Sequence, residues 1–187
     1  LREPLETGSI VISRAARHAE FPASIQLIAA MNPCPCGYLG DTQHACTDTT
    51  DQVRRYQGRI SGPFMDRIDL CVEVPRIRLA DSAMKAPAED SKTIRKRVAI
   101  ARQTQVDRAG VANAKMSPAH TRQHCNLSDE DQTLLYNAIE QFALSSRAHD
   151  RILRVARTIA DLDSSENIQT HHLTEAINYR RYLNKQL

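Results

Sequence analysis

The sequence predicts an α/β segment followed by an all-α segment. Three observations carry this expectation. Two short β-type runs, Ser9–Ser13 (SIVIS) and Ser24–Ala30 (SIQLIAA), lie in the first third of the chain. Over 76–91 (RIRLADSAMKAPAEDS) small, charged and Pro residues replace the apolar pattern, which reads as a linker. From Lys92 onward apolar residues recur at helical spacing with no strand pattern between them. The expected layout is an α/β portion over 1–79, a linker over 80–91 and a helical domain over 92–187.

Taken in order, LREPLE reads as helix interior, stopped at Thr7-Gly8. Ser9–Ser13 and Ile25–Ala29 read as strands, and the polar ARHAEFP between them as a protruding hairpin-like excursion rather than a tight two-residue turn. Arg14, Arg17 and His18 cluster on that excursion. Asn32 directly follows the second apolar run, the place where open α/β sheets bind ligands. RISGPFMDRIDLCVEVP reads as a Pro-initiated turn of helix leading through Arg67 to a further strand, with Cys71 buried in it. Beyond the linker, Ile94, Val98 and Ala101 mark one face of a helix running to Gly110, with Arg95, Lys96, Arg97 and Arg102 mostly toward solvent. Ser128 and Asp131 have capping-box spacing, followed by the stripe Leu134, Leu135, Ala138, Ile139 and Phe142. A third helix starts near Ser145 or Ser146 and runs to about Asp163, burying Ile152, Leu153, Ala156, Ile159, Ala160 and Leu162. Thr170 is read as the cap of the last, whose apolar face is Leu173, Ala176, Ile177 and Leu183. Four helices without strands make a compact all-α bundle.

Composition sets modest limits. A chain of 187 residues with 41% hydrophobic content allows one or two small domains with real cores. A formal charge of +3 and a pI near 8.7 suit phosphate-bearing partners but fall short of a dedicated nucleic-acid arm. No apolar run approaches the ~20 residues that span a bilayer, and LREPLETG lacks a signal-peptide layout, so the expected location is the cytoplasm with no membrane partner. Five cysteines, three of them between Cys34 and Cys46, fit a reduced compartment and a metal-type cluster better than a disulfide framework. Cys34, Cys36 and Cys46, with His44 or Asp48 as fourth ligand, supply the donors of a tetrahedral zinc site, structural rather than catalytic, although their spacing is tighter than in common zinc ribbons. A nucleotide hydrolase also needs a phosphate-cradling loop and an acidic pair for magnesium. The six glycines, at 8, 37, 40, 58, 62 and 110, never form GxxxxGK[ST], and no strand ends in paired acids. The chain also begins without Met, and it is read as part of a longer parent, starting just after that parent's acidic motif and inactive on ATP by itself.

LREPLETGSIVISR, MNPCPCGYLGD, RISGPFMDRIDL and RILRVARTIADLD, in that order, resemble the C-terminal part of magnesium-chelatase-like AAA+ ATPases of the ComM/YifB competence type, over nearly the whole chain. The resemblance implies a partial AAA+ core, with sensor 1 and hairpin strands and an arginine-finger region, followed by a helical-bundle lid. It implies that Asn32 is the sensor 1 residue that feels the terminal phosphate or attacking water, and that Arg67 is the finger offered to a neighbouring subunit's nucleotide. From the residues alone, Asn32 is equally a turn-forming Asn-Pro, and Arg67 a partner of Asp66 or Asp69. Arg147 occupies the sensor 2 place on the lid, with Arg151 and Arg154 sharing its helix face as alternatives. The hairpin bearing Arg14, Arg17 and His18 would point into a central pore. Many relatives carry a further Cys where this chain has Asp48. For the parent the resemblance implies ATP and magnesium as cofactors, a homo-hexameric ring and DNA as partner, in branch migration or helicase-like work during recombination and transformation. The alternatives are a subunit of a metal-insertion chelatase and a zinc-stabilised binding module without motor role.

Overall fold

The computed structural model describes residues 2–14, 17–75 and 88–181, in two compact units divided between Ile68 and Asp69. The described residues are mostly helical, with one small two-stranded sheet.

The first unit opens with helix α1 (Arg2–Thr7), which ends where Gly8 takes φ +73° and returns its N–H to the Pro4 carbonyl at 3.0 Å. Strand β1 (Ser9–Arg14) pairs antiparallel with β2 (Arg17–Pro22), from Ser9 opposite Pro22 to Arg14 opposite Arg17. The segment expected to be a loose excursion is therefore itself the second strand, and only positions 15 and 16 separate the paired ends. The expected strand at 24–30 does not form. That stretch carries no assigned structure, and its Ile28 is 85% exposed. An apolar run becomes a strand only beside a partner, and no described segment pairs with it. Helix α2 (Thr50–Gln57) begins at a reciprocal capping box, with Gln52 N–H on Thr49 Oγ1 and Thr49 N–H on Gln52 Oε1. The one-turn helix α3 (Gly62–Met65) has Pro63 in its first turn, as the sequence implied.

The second unit starts with 69–75, also expected to be a strand. It is extended but unassigned, held at Cys71 N–H by the Tyr179 carbonyl at 2.9 Å, and Val74 is 82% exposed. Cys71 is half-buried and lies in no strand. The expected linker, 80–91, falls largely outside the described residues. Helix α4 (Ser91–Ala109) is capped by Asp90, whose carboxylate accepts the Thr93 N–H at 2.8 Å, and ends at Gly110 with φ +69°. Its expected apolar face is wrong in its first half. Residues 91–100 are all exposed, Val98 at 51%, and the buried positions are Ala101 and Gln105. A 3₁₀ turn (Asn113–Lys115) and helix α5 (Pro118–His124) follow. Helices α6 (Asp129–Gln141), α7 (Ser146–Leu162) and α8 (Thr170–Arg181) complete the bundle.

Ser128 caps α6 by accepting the Asp131 N–H at 3.1 Å, and Ser145 is the N-cap of α7 without a side-chain bond. Thr170 is the first residue of α8 rather than its cap; the Gln169 N–H is taken up by His172 Nδ1 at 3.0 Å. Helix α7 is the hub, touching α4, the 3₁₀ turn, α5, α6 and α8. Its Ile152, Leu153, Ala156 and Ala160 meet Leu135 and Ala138 of α6 and Leu173, Ala176 and Ile177 of α8 in one core. Leu134 and Leu162, both expected inside, stand at the exposed rim, and Leu183 lies outside the described residues. Cys125 is buried beside this core, and burial pushes its pKa up to about 11.

A buried polar network locks α7 to α4. The Asp161 side chain is fully enclosed and accepts four hydrogen bonds: Arg108 Nη1 at 2.6 Å and Arg157 Nε at 3.1 Å on Oδ1, Arg108 Nη2 at 2.8 Å and Asn113 Nδ2 at 2.8 Å on Oδ2. Burial alone would raise the Asp161 pKa, but the bonds from Arg108 and Asn113 and the Arg157 charge outweigh it and hold it below the usual carboxylate range. Arg157, itself buried, also bonds the carbonyls of Glu166 at 2.8 Å and Ser165 at 2.6 Å. No described helix is long and apolar enough to cross a membrane.

Candidate functional site

The loop from Asn32 to Asp48 is shaped by two turns. Cys34-Pro-Cys-Gly37 folds back with the Gly37 N–H on the Cys34 carbonyl at 3.1 Å, Pro35 providing the fixed φ at the second position. Tyr38 to Asp41 makes the second turn, with Gly40 at φ +83° and the Asp41 N–H on the Tyr38 carbonyl at 3.0 Å. Gly37 sits at φ +82°, and a Cβ there would meet the Asn32 amide nitrogen at 3.7 Å. Asn32 itself is exposed, at the end of the unpaired apolar run.

These turns bring three sulfurs together. Cys34 Sγ lies 3.3 Å from Cys36 Sγ and 3.7 Å from Cys46 Sγ, and Cys36 and Cys46 are 3.5 Å apart. No disulfide links them. Asp48 closes the group, with Oδ2 3.9 Å from Cys46 Sγ and accepting the Cys36 N–H at 2.8 Å. One ligand atom from each of the four residues falls within 4.8 Å of the others. His44, the other candidate, is outside the group: its ring stacks on Tyr38 with centroids 5.0 Å apart, and its Nδ1 faces Asp41 at 3.8 Å.

The thiols do not titrate alike. At Cys36 the Asp48 carboxylate and burial oppose ionisation, but the N–H groups of Tyr38 and Thr47 and the Cys34 thiol outweigh them, bringing it to about 7. At Cys46 the Asp48 N–H favours the thiolate, yet burial and the two neighbouring sulfurs hold the pKa up to about 11. Hydrogen bonds from Cys36 and Cys34 keep Asp48 below its ordinary value. Three soft donors and a carboxylate, none of them fixed in a covalent bond, form a set suited to a borderline-soft divalent ion.

A second group, Asp163, His171 and His172 around the start of α8, is close enough for a metal. Its buried member is already committed. His172 Nδ1 accepts a backbone N–H, so the ring hydrogen lies on Nε2, 3.2 Å from Asp163 Oδ2, and no lone pair is left for an ion.

The arginines expected at a nucleotide are placed as follows. Arg67, just past α3, donates Nη1 to the Pro63 carbonyl at 2.5 Å and Nη2 to Glu6 of α1. Glu6 is thus an acidic partner of Arg67 that lies far from it in sequence. Asp69 pairs with Arg151 of α7, Nη1 to Oδ1 at 2.5 Å. Arg147, at the second position of α7, is exposed. Arg154 turns inward, toward the carbonyls of Ala114 and Met116 at 3.4 Å, and burial depresses its pKa. On the hairpin the register sets Arg14 opposite Arg17, with His18 beside them opposite Ser13. Glu6 escaped sequence reading because the pair spans 61 positions; no local spacing signals it.

Two family models match the chain: one described as magnesium chelatase, subunit ChlI, over residues 1–82, and one as magnesium chelatase, subunit ChlI C-terminal, over 88–180. The chain is 42% identical over 181 residues to competence protein ComM of Haemophilus influenzae, which covers 96% of the chain and 35% of that relative. It is 43% identical over 181 residues to YifB of Escherichia coli, with the same coverage, and 36% identical over 185 residues to an uncharacterised protein of Mycobacterium tuberculosis, covering 97% of the chain and 36% of the relative. The chain therefore spans about a third of the length of these curated relatives, 35–36%.

Proposed function

This chain belongs to the magnesium-chelatase-like family, as a ComM/YifB-type member, and we propose on that premise that it is the sensor, arginine-finger and lid portion of an AAA+ motor subunit. The single observation that carries the reading is the 42% identity to a competence protein along 96% of the chain, within which the four motifs fall in order. Asn32 is assigned to sense the nucleotide's terminal phosphate. Arg67 is assigned to reach a neighbouring subunit's nucleotide, a role suited to a permanently charged, forked guanidinium. To do so it exchanges Glu6 for phosphate oxygens. Arg147 is assigned as the lid arginine, with Arg151 and Arg154, which share its helix face, as the alternatives. ATP and magnesium would be bound by parts of the parent outside this chain, in a homo-hexameric ring.

The work done on that ATP is proposed to be on DNA, of branch-migration or helicase type in recombination and transformation. The relative's name as a competence protein and the basic hairpin tip at Arg14, Arg17 and His18 support this. A second reading, a metal-insertion ATPase subunit, is favoured by the names of the matching family models. The full-length parent separates them: turnover that rises with branched DNA supports the first, and turnover that rises only with a tetrapyrrole-binding partner overturns it in favour of the second.

A further inference from the structure

The sulfur cluster is not explained by a motor role. We infer that Cys34, Cys36, Cys46 and Asp48 bind one zinc ion in a closed, structural site, with Asp48 and not His44 as fourth ligand.

Geometry is the first argument. Four ligands on spokes of about 2.3 Å define a tetrahedron with edges of about 3.8 Å between sulfurs. The three observed separations, 3.3, 3.5 and 3.7 Å, already approach that edge before any ion draws the sulfurs into place. They are far longer than the ~2.05 Å of a disulfide. A Zn–O spoke of about 2.0 Å shortens the sulfur-to-oxygen edge to about 3.5 Å, and Asp48 Oδ2 stands 3.9 Å from Cys46 Sγ.

The second argument is what the cluster replaces. Cys34 is fully buried, and it is the one buried apolar residue among the described residues of the first unit; every other such residue lies beyond Ile68. A small unit without an apolar core needs another source of order, and a metal staple supplies it. Thiol packing alone would not gather three sulfurs at one point while Ile10, Val11, Ile12 and Ile28 of the same unit stay exposed.

The third argument is charge. Three thiolates, a carboxylate and a divalent cation leave a net double negative charge, which needs donors. The N–H groups of Tyr38 and Thr47 aim at the Cys36 sulfur, that of Asp48 at the Cys46 sulfur, and that of Cys36 at the Asp48 carboxylate. All four positions are filled by the protein, so no open site remains for catalysis. As the ion enters, the thiols pass their protons to solvent. The ion then ties Asn32, two residues before the first ligand, to α2, whose cap Thr49 directly follows the last. Gln57 Nε2 of α2 already bonds the Pro33 carbonyl at 2.8 Å, closing the same ring of chain.

The test uses the 187-residue chain itself under reducing conditions, with no nucleotide, so its outcome is separate from that of the motor reading. Elemental analysis should find one zinc per chain. Cobalt substitution should give thiolate-to-metal charge-transfer and tetrahedral d–d absorption. Cys34→Ser should abolish stoichiometric binding. Asp48→Asn should lower cobalt affinity at least about tenfold, the scale on which even outer-shell partners act. Asp48→Cys should retain the ion and intensify the charge-transfer band, and His44→Ala should change neither affinity nor spectrum. Loss of the metal in His44→Ala with retention in Asp48→Asn would overturn the ligand assignment. Absence of zinc after purification, with no cobalt bound on titration, would overturn the site.

Discussion

Replacing Asp161 with Asn keeps the shape of the side chain and removes its charge. It also leaves one acceptor oxygen where two now serve four donors. Two of those donors lose their partner, and the new amide N–H group faces arginine N–H groups. Hydrogen bonds to charged groups contribute about 1.5–3 kcal/mol each, so two lost bonds come to about 3–6 kcal/mol. Breaking a buried ion pair by removing one partner costs about 3–5 kcal/mol, an independent figure in the same range. A loss of about 4 kcal/mol is a large share of the 5–15 kcal/mol that holds a typical domain together. With a urea slope of about 2 kcal/mol/M, the midpoint of the helical unit should fall by about 2 M. Far-ultraviolet circular dichroism along a urea titration reads it. The network also sets a pH signature. The folded pKa of Asp161 lies below its unfolded value of about 3.9, so its contribution is fully present above that value and is lost as pH falls through the folded one. The wild-type acid limb should therefore be steeper than that of Asp161→Asn. A change under about 1 kcal/mol, with identical acid limbs, would refute the view that this carboxylate carries the α4–α7 junction.

Other outcomes follow from single residues. In the full-length parent, Arg67→Ala should cut ATP turnover by about 10³ to 10⁵. Rings mixed from Arg67→Ala and Asn32→Ala subunits should recover part of it, because some interfaces then pair an intact finger with an intact sensor; a guanidinium acting within its own subunit would give no recovery. Ser128→Ala removes the cap of α6 and should cost about 1 kcal/mol by urea denaturation. Leu135→Ala, truncating a fully buried side chain between α6 and its neighbours, should cost about 2–5 kcal/mol in the same assay.

What could be read in the sequence was what short-range chemistry decides. The stop at Thr7-Gly8, the cap at Ser128, the start near Ser145 or Ser146 and the end of α4 at Gly110 each depend on a few neighbouring residues, and all four appear in the structure. Two further starts carried comparable signals that went unread: Thr49 with Gln52 for α2, and Ser117-Pro118 for α5. Strand identity was less legible, because Ser24–Ala30 and 69–75 have strand composition but no described partner, whereas Arg17–Pro22 has polar composition and does pair. Ile94 and Val98 misled for the same reason: helical spacing shows which residues share a face, and a neighbour decides whether that face is covered. At the cysteine loop the three sulfurs were legible as a cluster, but which of His44 and Asp48 stands beside them was not. It depends on the path set by Gly37 and Gly40, which carries His44 onto Tyr38 and returns Asp48 to the sulfurs.

Helix α4 projects its first ten residues with no side chain buried, about 15 Å at 1.5 Å per residue, while Arg108 near its other end is clamped bidentately to Asp161. Mechanically this is a cantilever, fixed at the root and, among the described residues, without a buried side chain along its outer span. A small rotation at the clamp sweeps the tip through a proportionally larger arc. Among the described residues this outer span buries no side chain, so its peptide groups should exchange with solvent in advance of those at the root.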